Sequence, residues 1–152
     1  MLMRRAGLAL LFALVGGLNS TARAADLQTL LATLKQHGFT VVQQQPPGAK
    51  AYGLFDPNRK LLMVAPISHD LGIARHVLLH EAVHAAQSCP DGTMRLIGWP
   101  LTTSPAVASR IRYLISNHYH QGNQPLEQEA FLMQSQPNAE ALIVKALNQR
   151  CS

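Results

Sequence analysis

Residues 70–87 read DLGIARHVLLHEAVHAAQ, and the reading of the whole chain turns on this stretch. Leu71, Ala74, Leu78, Ala82 and Ala85 recur at helical spacing, and Ile73, Val77, Leu79, Val83 and Ala86 carry the apolar character round nearly the whole circumference. A helix apolar on all sides belongs in the middle of a domain. Inside it stands His80-Glu81-Ala82-Val83-His84. Residues four apart on a helix share a face, about one turn from each other. His80 and His84 can therefore bring two imidazoles to one Zn²⁺, at N–Zn distances of about 2.0–2.1 Å. Glu81 lies about 100° further round, beside the metal and not on it. There a carboxylate can take a proton from metal-activated water, which makes Glu81 the candidate catalytic base. His76, one turn before His80 on nearly the same face, is a rival ligand.

On the N-terminal side, Asp26 can cap a short helix bearing Leu27, Leu30, Leu31 and Leu34, closed by Gly38. Residues 39–43 are rich in β-branched side chains and read as a strand. Pro46-Pro47-Gly48 breaks the chain, and residues 51–55 and 60–65 are further strand candidates. Between them Asp56-Pro57-Asn58-Arg59 is turn chemistry, so the pair reads as a hairpin. Beyond the central helix, residues 90–103, with Gly92, Gly98 and Pro100, form a loop. Ser104-Pro105 starts a helix with Val107, Ile111, Leu114 and Ile115 on one face. A helix over 125–136 follows, and Pro137 opens a last one that ends near Cys151. The expected fold is α+β: a small antiparallel sheet, then a helical core with the metal site on its buried central helix.

The motif resembles that of the HExxH zincin metallopeptidases, whose active-site helix carries two histidine ligands and the general-base glutamate. The metzincin extension is missing, because Gln87 holds the step where that branch has glycine and no third histidine follows at its spacing. The gluzincin branch draws its third ligand from a glutamate on a later helix, often followed by alanine, and Glu129-Ala130 is similar to that pattern. The resemblance is to minimal gluzincin-like domains and covers residues 70–136. It implies one Zn²⁺ per chain held by His80, His84 and Glu129. Leu126, Leu132 and Met133 stand three or four residues from Glu129 and favour an inward face for it. Glu127, on the same short helix, remains the alternative ligand, or a residue that orients a histidine ligand. The resemblance also implies a strand beside the active helix that pairs with extended substrate, a role for residues 60–65. It implies a transition-state hydrogen-bond donor near the metal too, for which His118, Tyr119 and His120 are the candidates.

The first 24 residues read as a secretory signal peptide: Arg4-Arg5, an apolar run over 8–18, and an Ala22-Arg23-Ala24 cleavage site. The apolar run is shorter than the roughly 20 residues of a membrane span. Cleavage leaves a single domain over 25–152. Three of the thirteen basic residues go with the signal and none of the eight acidic ones, so the mature balance is +2. No Lys/Arg cluster remains to track a phosphate backbone, which argues against nucleic acid as a partner. Cys89 and Cys151 are the only cysteines, and in an exported chain they pair as a disulfide. The leading expectation is a periplasmic or secreted zinc peptidase acting on peptide or protein substrates. The alternative is an exported zinc-binding protein that cleaves nothing.

Overall fold

The structure, a computed structural model, describes residues 15–48, 51–118 and 123–152. Its elements run α1 (Val15–Gln36), β1 (Thr40–Gln43), β2 (Gly53–Asp56), β3 (Leu61–Val64), α2 (Ile67–Asp70), α3 (Ala74–Gln87), α4 (Pro105–His118), α5 (Gln124–Gln134) and α6 (Ala139–Arg150). This is an α+β arrangement, as the sequence leads one to expect. α3 lies against β2 and β3 on one side and against α5 and α6 on the other, while α1 packs on α6 and α4 on α5.

The helix ends follow from local chemistry. Gly38, with φ +82°, closes α1: its N–H bonds to the Lys35 carbonyl at 3.0 Å and the Phe39 N–H to the Leu34 carbonyl at 2.9 Å. That double bond pattern satisfies carbonyls a helix end would otherwise leave open, and it needs a left-handed residue that glycine adopts without strain. Gly72, with φ +69°, closes α2 in the same way, through Gly72 N to His69 O and Ile73 N to Ser68 O. The helix expected over 70–87 accordingly starts only at Ala74, and Asp70 belongs to the short α2 before it. At the other end of the chain α1 does not start at Asp26. It begins at Val15 and runs without interruption through Ala22-Arg23-Ala24. The basic start and most of the apolar run of the expected signal lie outside the described residues.

The sheet is mixed, not antiparallel throughout. Its order is β1-β3-β2. β2 and β3 form the expected antiparallel hairpin with Asp56 opposite Leu61, whereas β1 pairs with β3 in parallel, Thr40 opposite Leu61. The Asp56 carboxylate holds the turn by accepting from the Asn58 and Arg59 N–H groups at 3.0 and 3.2 Å. All four residues of β3 are buried. A continuous apolar run such as Leu61-Leu62-Met63-Val64 needs cover on both faces and suits the centre of a sheet. The assignment of 60–65 as the strand that meets substrate is therefore corrected: β3 has both edges paired, and β2 is the edge strand beside α3.

Every residue of α3 from Leu78 to Gln87 is buried. Leu79, Val83, Met133, Ile143 and Leu147 are among the large side chains fully withdrawn from solvent around it. Truncating one of them to alanine costs about 2–5 kcal/mol. Two polar ties hold the last helix to α3: the Arg75 guanidinium bonds to Glu140 at 2.8 Å from Nε, and Arg150 Nε donates to the Ala86 carbonyl at 2.9 Å. Just past α3, Cys89 is joined to Cys151, with Cα atoms 5.0 Å apart, and this disulfide is compatible with an oxidising environment. Among the described residues no helix is long and apolar enough to cross a membrane.

Candidate metal centre

The one-turn spacing on α3 stacks the two imidazoles. His80 and His84 rings lie edge to face, centroids 4.8 Å apart, with their Nε2 atoms 3.1 Å from each other. α5 crosses this face and supplies a carboxylate. Glu127 Oε2 stands 3.0 Å from His80 Nε2 and 3.4 Å from His84 Nε2. Three ligand-type atoms thus converge within 4.8 Å, a group able to hold a metal ion.

The outer nitrogen of each ring is held as well. His80 Nδ1 meets Gln134 Oε1 and His84 Nδ1 meets Gln87 Oε1, both at 2.7 Å. A carboxamide oxygen only accepts, so each Nδ1 carries a hydrogen, and the neutral ring turns a bare Nε2 lone pair inward. Two imidazole lone pairs and a carboxylate oxygen so close together repel unless a cation lies among them. A proton on one histidine or a divalent metal answers that need, and two imidazoles with a carboxylate are a donor set able to hold such an ion. The charges respond accordingly. Burial pulls His84 towards neutrality, but its hydrogen bond to Glu127, with the charges of Glu81 and Glu127, outweighs burial and raises its pKa above the ordinary value of 6.5. Burial pushes Glu127 up, but the hydrogen bonds from His80 and His84 and their charges outweigh it and hold this carboxyl down at about 2.

Glu81 is buried beside the group without belonging to it. Burial raises its pKa above the usual carboxyl value, opposed by the charges of the two histidines and assisted by the charge of Glu127. β2 reaches it because residue 53 is glycine. Two clefts meet at Gly53, His80 and Glu81. One, of about 440 Å³, continues past His84 and Glu127 to Leu54, Phe55 and Leu126. The other, of about 770 Å³, is walled by Tyr52, Ile73, Val77, Leu114 and Phe131.

His80, His84 and Glu81 thus stand together, and Glu127 joins them. Glu129, the favoured third ligand, does not. Its carboxylate accepts from Gln87 Nε2 at 2.8 Å, Ile97 N at 2.9 Å and Gly98 N at 2.7 Å, and it lies outside the converging group. The correction has a helical cause: positions 127 and 129 are about 200° apart round α5, so only one can meet the histidines. His76 is exposed on the rim of the wider cleft and is not part of the group. His118 ends α4, and Tyr119 and His120 lie outside the described residues. Sequence reasoning passed over Gln87 and Gln134. Gln87 had a signal, being a polar residue in an apolar helix, three positions after His84 and so on its face; Gln134 had none. No protein-family model matches this chain, and no curated protein and no solved structure matches it.

Proposed function

We propose that the chain is a zinc-dependent peptidase of zincin type, with His80, His84 and Glu127 as ligands and Glu81 as the base. The observation that carries this reading is the convergence of those three ligand atoms next to the buried Glu81 carboxylate, whose pKa burial raises. When bound, zinc supplies a Lewis acid and brings the pKa of a coordinated water down towards about 7. A set of three protein ligands, and not four, is that of catalytic zinc sites and not of closed structural ones. Glu81 takes and returns the proton, and its raised pKa moves it towards the working range of such a base. Gln87 and Gln134 fix the ligand tautomers. The free edge of β2, at Gly53 and Leu54, is where an extended peptide can add as a further strand. The apolar walls of the wider cleft favour a bulky apolar side chain next to the bond that is cut.

The second reading, a zinc-binding protein without activity, explains the ligands but leaves Glu81 buried without a role, a costly placement for a carboxylate. Export to the periplasm or beyond is part of the proposal and rests on the N-terminal pattern and the cysteine pair. Metal analysis of the purified protein, run beside a digest of a broad peptide library, tests the function. One zinc per chain with cleavage next to large apolar residues is the expected result. A zinc-loaded protein that cuts nothing favours the second reading, and a protein that takes up no metal overturns both.

A further inference from the structure

Glu129 is as buried as the histidines, at 9% exposure, and it collects three donors at one carboxylate. Two are the successive amides of Ile97 and Gly98 in the loop that follows α3. Gly98 has φ +80°, a left-handed turn that a side chain would strain. The third donor is Gln87 Nε2, which also gives a hydrogen to the Leu126 carbonyl at 3.1 Å. With both acceptors on its nitrogen side, the Gln87 carboxamide has one orientation, and its oxygen must be what faces His84 Nδ1. The path from loop to ligand is continuous: Ile97-Gly98 amides, Glu129, Gln87, His84.

We propose that Glu129 is a positioning residue acting through Gln87, fixing the tautomer and aim of His84 so that the seating of the 97–98 turn and the metal affinity of the site are coupled. The inference rests on the metal-site reading above. A carboxylate is needed because it alone accepts all three hydrogens. A carboxamide at 129 sets an N–H₂ against the N–H₂ of Gln87 or against a loop amide, and the path opens.

Zinc affinity by chelator competition and the visible absorption of the Co²⁺-substituted full-length protein test this without reference to activity. Glu129→Gln and Gln87→Met should each weaken zinc about 10- to 100-fold and shift the Co²⁺ spectrum. The double variant should be no worse than Gln87→Met alone, because both substitutions open the same path. Glu140→Gln serves as the control: it removes a buried carboxylate paired with Arg75 of α3 and should cost stability while leaving zinc affinity unchanged. If Glu129→Gln behaves like that control, or if the two effects add, the inference is overturned and Glu129 only anchors the loop. Should Glu129→Gln not fold, Gly98→Ala strains the turn with every side chain of the path in place. Weaker zinc binding in that variant supports the coupling, and unchanged binding overturns it. A wild type that takes up no zinc overturns the metal reading and this inference together, whereas a zinc-binding wild type with an unaffected Glu129→Gln overturns this inference alone.

Discussion

Gly53 of β2 and Glu81 of α3 are so close that a Cβ placed on the glycine would stand 2.7 Å from Glu81 Oε1, and 2.5 Å from Val77 Cγ1. The carboxylate is a flexible end and can yield, but the valine branch cannot, so a side chain here pushes the edge strand off the helix. Gly53→Ala should destabilise the fold by about 1–3 kcal/mol, the scale of overpacking. It should reduce peptide hydrolysis through displacement of Glu81 while zinc content stays near one per chain. Thermal melts, metal analysis and peptide turnover read these separately. Full activity in this variant would mean that the glycine has no part in placing the base.

Glu81→Gln keeps the shape of the side chain and removes its basicity. Since Glu81 lies outside the converging ligand group, zinc should stay bound and the fold intact. Hydrolysis should fall by roughly 10²-fold or more, the scale on which a general base acts. Undiminished turnover would assign the proton transfer to another group.

Glu127→Ala should strip the metal, because it removes one of the three proposed ligands. Glu129→Ala should weaken binding only by about 10- to 100-fold, since it loosens a residue that holds a ligand. The order of zinc loss in a chelator titration decides between the two. A reversed order would make Glu129 the ligand after all.

The pH dependence of zinc binding follows from His84, whose pKa is raised above 6.5. Below that pKa, in the metal-free protein, the protonated ring pairs with Glu127. A raised histidine stabilises the fold fully below its unfolded value, and this contribution is lost as the pH rises through the folded value. Zinc competes for the same lone pair and releases the proton. Zinc affinity should therefore climb by about tenfold per pH unit up to the His84 pKa and then level off. Glu127, held down at about 2, stays ionised throughout that range and adds no slope. Isothermal titration in buffers of different ionisation heat counts the proton. Affinity that is flat in pH across this window would show that the metal does not bind through His84.

Export and the disulfide are checked together by intact mass. Protein recovered from the cell envelope should begin at Ala25 and lack two hydrogens at Cys89 and Cys151. Cys151→Ser should lower stability by up to about 4 kcal/mol, the loop-entropy scale for a closure of 62 residues. A full-length chain with two alkylatable thiols would remove both expectations.

Local chemistry made most of the elements readable in advance. The Asp56-Pro57-Asn58-Arg59 turn placed the β2–β3 hairpin, Ser104-Pro105 placed the start of α4, and the apolar circumference of 78–87 marked a buried helix. Gly72 and Gly38 stand at the two helix ends they close, but only Gly38 was read as a stop. The periodic pattern on either side of Gly72 is strong enough to run through it on paper, and only the left-handed backbone there ends α2. The reading of 60–65 as an edge failed for a different reason. Which strand lies in the middle depends on β1 pairing with β3 and not with β2, and nothing in a four-residue strand records its neighbours.

The same division runs through the site. That His80, Glu81 and His84 share one helix, with the carboxylate beside the two imidazoles, was determined by sequence alone, because a spacing of four and a spacing of one have fixed angular meaning on an α-helix. That Glu127 and not Glu129 meets the histidines was decided only by tertiary structure. The apolar neighbours of Glu129 did mark an inward direction, and Glu129 is indeed buried. But α5 turns inward over an arc wide enough to face two things, the histidines on one side and the Gln87 carboxamide with the 97–98 amides on the other. The rotation of α5 about its own axis against α3 allots one glutamate to each. That rotation is set by the packing of Ala130 and Met133 into the core around α3, a many-body fit that no spacing within α5 can encode.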